Sequence, residues 1–489
     1  MPPKIHTAMV PVTTFLSPPL TRMIPASIFL LVLMCVFPII GLAQQLKVSE
    51  NGHFLEYQNG DPFFWLGDTA WELFHRLDRK EAALYLENRA EKGFTVIQAV
   101  VLAEFDGLHT PNAYGDTPLT EDDPTRPNEA YFKHVDYIVR KASRLGLFIG
   151  MLPTWGDKVV KRWGVGPEIF TPENAYTYGL FLGKRYNNSP IIWILGGDRN
   201  PDGPKHIQVW DAMAKGILEG SGGHQLITYH PQGGSGSSKW FHEKDWLDLN
   251  TFQSGHGERD GRNYQKLTHD YNLSPTKPTL DAEPNYEDHP VGWKPEELGW
   301  FDAFDSRRAG YWSMLSGACG HTYGNHNIWQ MLEPGRDPVS FARTGWRFAI
   351  NHPGAFQAGY MRRLFESLPW QQLIPDQSLI KNKNPRDATH QVAAISSAGN
   401  FLLAYTPYGK SLRIDLSKLP EGELHASWYN PRDGTCWPLA SMKQVSPATP
   451  EPSFRLLSSF TNNGNVQEFK PHSAGRGSDW VLVITTPNE

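Results

Sequence analysis

Eight short apolar runs, each ending in glycine or polar residues, recur along residues 63–323 of this chain. They are Phe63–Gly67 (FFWLG), Thr95–Leu102 (TVIQAVVL), Leu147–Pro153 (LFIGMLP), Ile191–Leu195 (IIWIL), Leu226–Tyr229 (LITY), Leu249–Gln253 (LNTFQ), Pro278–Ala282 (PTLDA) and Gly320–Tyr323 (GHTY). Apolar runs this short, bounded by turn residues, read as strands buried on both faces. Between most of them lie helical patterns: Arg79–Lys92, Asn128–Leu145, Pro172–Tyr186, Lys205–Leu218 and Asp302–Ser316. Asp78 and Thr171 stand where N-caps belong, and Gly93 and Gly146 where helices stop. Strands that alternate with helices form a parallel sheet, because each helix carries the chain back to the same edge. Eight such units predict a (β/α)8 TIM barrel over residues 46–365 rather than an open doubly wound sheet. No GxGxxG fingerprint follows an early strand, which further disfavours a dinucleotide-binding domain.

The pattern changes after residue 365. His390–Ser396, Asn400–Thr406, Ser411–Leu416, His425–Tyr429 and Trp480–Thr485 read as short strands separated by Gly, Pro, Asn and Asp turns. A small all-β sandwich is expected over residues 370–489, with residues 445–452 (VSPATPEP) as a proline-rich loop. At the other end, Ile28–Leu42 is uncharged, follows Arg22, and is followed by small residues. A signal peptide over residues 1–43, cleaved after Ala43, is expected, with an uncleaved anchor as the rival. Met9 and Met23 are alternative starts. No second hydrophobic run follows, so no membrane span is expected after cleavage, and the destination is secreted, periplasmic or cell-surface. Cys319 and Cys436 remain. They form either a disulfide or, the favoured alternative, two buried free thiols.

Composition narrows the function classes. A net charge of −5 argues against a nucleic-acid partner. Aromatic residues make up 12% of the chain, which leans towards sugar stacking. In a (β/α)8 barrel the loops after the strands build the active site. Two carboxylates stand out there: Asp198, after the fourth strand and two glycines, and Glu283, just after the seventh. Strands four and seven face one another across the mouth, and glycoside hydrolysis needs such a pair: a protonated acid and an ionised partner. Trp193, Trp155 and Tyr286 supply the apolar surroundings that raise a carboxyl pKa. Alternatively these acids cap helices or pair with Arg199, Arg307 or Arg308.

Candidate substrate-binding residues are Asp68, Trp71, Trp155, Arg199, His230, His256, Tyr286 and Tyr323, with Trp240 a further stacking candidate. Arg199, Lys158 and Arg162 are candidate cations for a uronic acid. His230, His256, His321 and His326 raise a metal-dependent hydrolase as a rival. No HExxH or HxH spacing supports it, and no metal or cofactor is called for. The missing GxSxG elbow disfavours a serine hydrolase. A non-catalytic carbohydrate- or matrix-binding protein on a barrel scaffold is the alternative from another class.

The segments Phe64–Leu73 (FWLGDTAWEL), Trp193–Asp198 (WILGGD) and Asp281–Pro284 (DAEP) together resemble the apiosidase-like (β/α)8 barrels of glycoside hydrolase family 140, whose C-terminal β-domain is named for collagen binding. The resemblance covers about Leu46 to Pro487. It implies Asp198 as acid/base, Glu283 as nucleophile, and a plant cell-wall, pectin-type glycan as substrate. The implied linkage is apiose on galacturonic acid in rhamnogalacturonan-II. Nothing in residues 370–489 reads as a collagen site, and a domain packed on the barrel to stabilise it is expected.

Overall fold

Residues 45–439 and 458–487 are described by a computed structural model. The signal-peptide segment and the proline-rich loop at 445–452 lie outside the described residues. Eight strands form a closed (β/α) barrel: β1 Trp65–Thr69, β2 Val96–Leu102, β3 Phe148–Thr154, β4 Ile191–Gly196, β5 Ile227–His230, β6 Asn250–Phe252, β7 Thr279–Asp281 and β8 Gly320–Tyr323. Every residue of these strands is buried, which is why they read as continuous apolar runs rather than alternating ones.

Six strands pair in parallel in the order β5-β4-β3-β2-β1-β8, and β6 pairs in parallel with β7. Two seams close the ring with fewer bonds. At the first, Thr228 Oγ1 donates to the Leu249 carbonyl (2.7 Å) and Thr251 Oγ1 to that of Tyr229 (2.5 Å). At the second, Cys319 N–H donates to Thr279 O at 3.1 Å.

The helices follow the caps. Asp78 closes a capping box with Glu81 at the start of Arg79–Glu91, and Thr171 does so with Asn174 at Pro172–Tyr186. Gly93 and Gly146 take positive φ just past helix ends. The expected first strand divides in two. Pro62–Phe63 belongs to a three-stranded antiparallel sheet with Leu46–Val48 and Leu55–Tyr57, and the barrel strand begins only at Trp65.

The C-terminal region is antiparallel throughout. Strands Leu373–Pro375, Val392–Ser396, Phe401–Thr406, Trp480–Thr485, Gly422–Asn430 and Thr435–Trp437 pair in that order, and Ser459–Asn462 also pairs with Gly422–Asn430. Leu412–Asp415 and Val466–Phe469 form a second, two-stranded sheet. Alternation along the large sheet assigns its faces. Ala393, Leu402, Ala404, Trp428, Leu482 and Ile484 pack with Leu412, Ile414 and Phe469 of the small sheet. Val392, Ala394, Leu403, Tyr405, Val481 and Val483 join the barrel's own core. The ion pair of Arg307 with Asp479 is buried at that junction, and Tyr311 stacks on Tyr405 at 4.9 Å. Cys319 and Cys436 are free thiols; Cys319 is buried, whereas Cys436 is only partly so. Among the described residues no helix is long and apolar enough to cross a membrane.

Candidate active site

A cleft of about 660 Å³ opens at the C-terminal ends of the strands and contains both Asp198 and Glu283. The chain reaches Asp198 through three consecutive residues of positive φ: Gly196 (88°), Gly197 (111°) and Asp198 itself (55°). A Cβ at Gly196 would collide with the His230 carbonyl oxygen, and one at Gly197 would stand 2.9 Å from the Gly156 nitrogen. Only glycine fits both the torsions and the space. Gly197 N–H donates to His230 O (2.9 Å) and its carbonyl accepts from Gly156 N–H (3.0 Å), so the turn is pinned on both sides. Asp198 is thereby held in a conformation that non-glycine residues seldom adopt, an arrangement that concentrates at functional sites.

Glu283 stands two residues past β7, where Ala282 N–H donates to Phe252 O and the Glu283 carbonyl accepts from Gly255 N–H. Its carboxylate lies between two imidazoles: His256 Nε2 at 2.9 Å from Oε1 and His230 Nε2 at 3.2 Å from Oε2. Burial alone would raise this carboxyl, but His230 and His256 outweigh it and hold Glu283 at about 2. Asp198 goes the other way. Burial first, and then the charge of Glu283, lift it to about 6, against the weaker pull of Arg199. Its side chain is 27% exposed, and that exposure faces the cleft. Two carboxyls of one site are thus separated into a proton holder and an anion.

Trp71, Trp155, His256 and Tyr286 line the same cleft. Burial, and then Glu283, push the Tyr286 hydroxyl well up, so it stays a donor. Tyr286 Oη, Trp155 Nε1, His256 Nδ1 and the side-chain oxygens of Gln232 and Gln253 are buried without a protein hydrogen-bond partner, and all belong to cleft-lining residues. Such a set suits a ligand rich in hydroxyls. His230 stands behind Glu283, fully buried and edge-on to Trp71.

Four expected contacts, His230 among them, do not line the cleft. Asp68 and Tyr323 are register partners on β1 and β8, on the face that meets the helices rather than the cleft. Asp68 accepts from Arg89 Nε and Tyr85 Oη, both at 2.5 Å, and is completely buried. Tyr323 donates to Glu287 Oε2 at 2.6 Å. The alternation of side chains along a strand explains both corrections. Arg199 is 1% exposed, beside Asp198 at 3.3 Å, with the Trp163 ring 4.1 Å from its guanidinium. It is a partner of the acid rather than an open anion site. Lys158 is buried against Asp157 and the Ala103 carbonyl, Arg162 pairs with Asp202, and Trp240 does not line the cleft.

Sequence reasoning assigned no role to Glu104, Trp163, His289, Trp293 or Trp329, all of which line the cleft. Glu104 stands two residues past β2 and had a positional signal; Trp163 and Trp293 lie deep in long loops and had none. Among the described residues no group of three or more His, Cys, Asp or Glu forms a metal-holding cluster.

Residues 49–372 match the family model described as "Apiosidase-like, catalytic domain", and residues 374–485 match "Putative collagen-binding domain of a collagenase". A glycoside hydrolase family 5 structure from Bacteroides vulgatus is 31% identical, with a TM-score of 0.81 over 91% of this chain and 94% of that one. A second structure, titled "Glycoside hydrolase", is 32% identical, with a TM-score of 0.80 over 91% of this chain and 98% of that one. No curated protein matches.

Proposed function

The chain belongs to the apiosidase-like family, and from that premise we propose that its carboxylate pair performs retaining hydrolysis of a plant cell-wall glycan. The protein is a glycoside hydrolase. The observation that carries the mechanism is the opposed protonation of Asp198 and Glu283 in one cleft. Asp198 gives its proton to the glycosidic oxygen as the aglycone leaves. Glu283, ionised between His230 and His256, attacks the anomeric carbon and forms a glycosyl ester. Asp198, now a carboxylate, takes a proton from water, which attacks the same carbon and releases the sugar and Glu283.

The linkage favoured by the family is apiose on galacturonic acid in rhamnogalacturonan-II. The C-terminal domain packs on the barrel and is assigned a stabilising role, supported by the buried Arg307–Asp479 pair. Residues 1–43 are proposed to direct the protein to the periplasm, the cell surface or the medium. A purely binding role is disfavoured, because binding alone needs no split pair of carboxyls.

The test is incubation with rhamnogalacturonan-II fragments and a panel of aryl glycosides, beside Asp198→Asn and Glu283→Gln. Sugar release by the wild type alone, with retained anomeric configuration, is expected. No release from any substrate, with sugar binding intact in all three proteins, overturns the catalytic assignment in favour of binding.

A further inference from the structure

Tryptophan is normally a well-covered side chain, yet two tryptophans of the cleft are left open. Among the described residues Trp163, Trp293 and Trp437 are the exposed tryptophans, and Trp163 (57%) and Trp293 (51%) line the cleft. Apolar surface that a fold leaves uncovered at a concave site marks contact with another molecule. The two stand on opposite walls. Trp163 belongs to the loop after β3 and Trp293 to the loop after β7, and strands four places apart in a ring of eight face one another across the barrel.

Both side chains are held in place by their loops. A Cβ at Gly164 would stand 2.3 Å from the Asp157 Cβ and 2.8 Å from Arg199 Nη2, so the Trp163 turn lies tight against these two residues. Gly166 N–H donates to Asp157 Oδ2 at 2.9 Å, and Arg162 pairs with Asp202 of the next loop. Trp293 takes a φ of 58°, a left-handed conformation that bulky residues rarely adopt, and Gly292 N–H before it donates to the His256 carbonyl at 2.8 Å. Each ring is also tied to one carboxyl. The Arg199 guanidinium lies 4.1 Å from the Trp163 ring and 3.3 Å from Asp198. Trp293 packs edge-on against His256, whose Nε2 lies 2.9 Å from Glu283. An apolar ring face can bury the C–H face of a sugar while the hydroxyls around the sugar's rim stay free to hydrogen-bond.

We propose that the cleft binds a glycan on both sides of the bond it cuts, with Trp163 the platform for the departing sugar and Trp293 the platform for a sugar beyond the one that Glu283 attacks. The inference rests on the glycosidase reading of the same cleft and deepens it. The departing sugar hangs on the oxygen that Asp198 protonates, so it lies on the Asp198 and Trp163 side. A chain continuing from the attacked sugar runs towards the opposite wall, where Trp293 stands. A cleft of about 660 Å³ has room for more than one sugar ring. In the favoured linkage the galacturonic acid stacks on Trp163, and a sugar carried by the apiose stacks on Trp293.

The first measurement is titration calorimetry of the full chain carrying Glu283→Gln, which lacks the nucleophile, with rhamnogalacturonan-II fragments, xylohexaose and mannohexaose. At least one of these long ligands is expected to bind. Trp163→Ala and Trp293→Ala, each added separately, should weaken it about fivefold or more. Trp163→Phe and Trp293→Phe, which keep a ring, should recover most of the loss. The second measurement is kinetics with Glu283 intact, comparing the long substrate with an aryl glycoside of a single sugar, which ends short of Trp293. Trp293→Ala should lower kcat/KM on the long substrate about fivefold or more and leave the aryl glycoside unchanged. Trp163→Ala should lower both, because the aryl group occupies the departing side. No measurable binding of any long ligand, binding indifferent to either alanine, or a Trp293→Ala that slows both substrates equally overturns the proposal. The two assignments fail separately. Long-ligand binding weakened by both alanines, with no turnover of any glycoside, sinks the hydrolase reading and leaves the two platforms standing. Turnover of a long substrate that Trp293→Ala leaves untouched sinks the two-sided cleft and leaves the hydrolase.

Discussion

Replacing Asp198 by Asn should destroy activity and stabilise the protein, and the second effect has a calculable pH dependence. Burial and Glu283 raise the Asp198 carboxyl from 3.8 to about 6 in the folded state. A difference of roughly two pH units corresponds to about 3 kcal/mol. The folded protein binds this proton more tightly than the unfolded chain does. The resulting stability is therefore complete below pH 3.8 and is lost as pH rises through about 6. Asn cannot ionise, so Asp198→Asn escapes that loss. Urea unfolding of both proteins should give a difference near zero at pH 4 or below, growing to about 2–3 kcal/mol in favour of the variant at pH 8. Comparing the two proteins at each pH cancels every other titrating group that they share. The Glu283→Gln background supplies an internal control. With the neighbouring charge gone, part of the Asp198 elevation goes too, and the gain from Asp198→Asn should shrink. A difference that stays flat from pH 4 to pH 8, or favours the wild type at pH 8, would refute the assignment of Asp198 as a proton-holding acid.

Other perturbations follow from the same geometry. His256→Ala removes the 2.9 Å contact to Glu283, so burial gains the upper hand and the carboxyl rises from about 2. The acid limb of kcat/KM should move up by at least about one pH unit while the alkaline limb stays near pH 6, and an unmoved acid limb would show that His256 does not control Glu283. Gly197→Ala places a Cβ at φ 111° against the Gly156 nitrogen. A destabilisation of about 1–3 kcal/mol, with kcat reduced at least about tenfold through displacement of Asp198, is expected from unfolding and steady-state kinetics. Arg307→Met leaves Asp479 buried without its ion pair. Unfolding in urea should show a loss of about 3–5 kcal/mol, and an unchanged midpoint would remove the stabilising role given to the C-terminal domain.

The barrel is legible in the sequence because its strands are buried on both faces, and eight uninterrupted apolar runs alternating with helices fit few folds besides a closed parallel sheet. The same property hides the direction of individual side chains. Where every position is apolar or buried, nothing in the pattern marks which residues of a strand point to the helices, and Asp68 and Tyr323 read as cleft residues for that reason. The residues just beyond the strand ends fare better. Asp198, Glu283, Trp71, Trp155, His256 and Tyr286 all come together in one cleft, because a loop's first residues cannot stray far from the strand that launches them. Trp163 and Trp293 sit deeper in their loops, where chain position no longer predicts location in space.

Charge pairing is the least legible feature, and it changes the chemistry most. Arg199 and Lys158 read as partners for an acidic sugar, yet one is committed to Asp198 and Trp163 and the other to Asp157. His230 and His256 read as sugar ligands, yet both face Glu283. A cation's worth to a substrate depends on whether the protein already uses it, and that is a property of three-dimensional neighbours. His230 and His256 keep Glu283 ionised, and burial together with that charge keeps the proton on Asp198 up to about pH 6, against the pull of Arg199. The competence of the acid pair thus comes from neighbours that are scattered along the sequence and meet only in the fold.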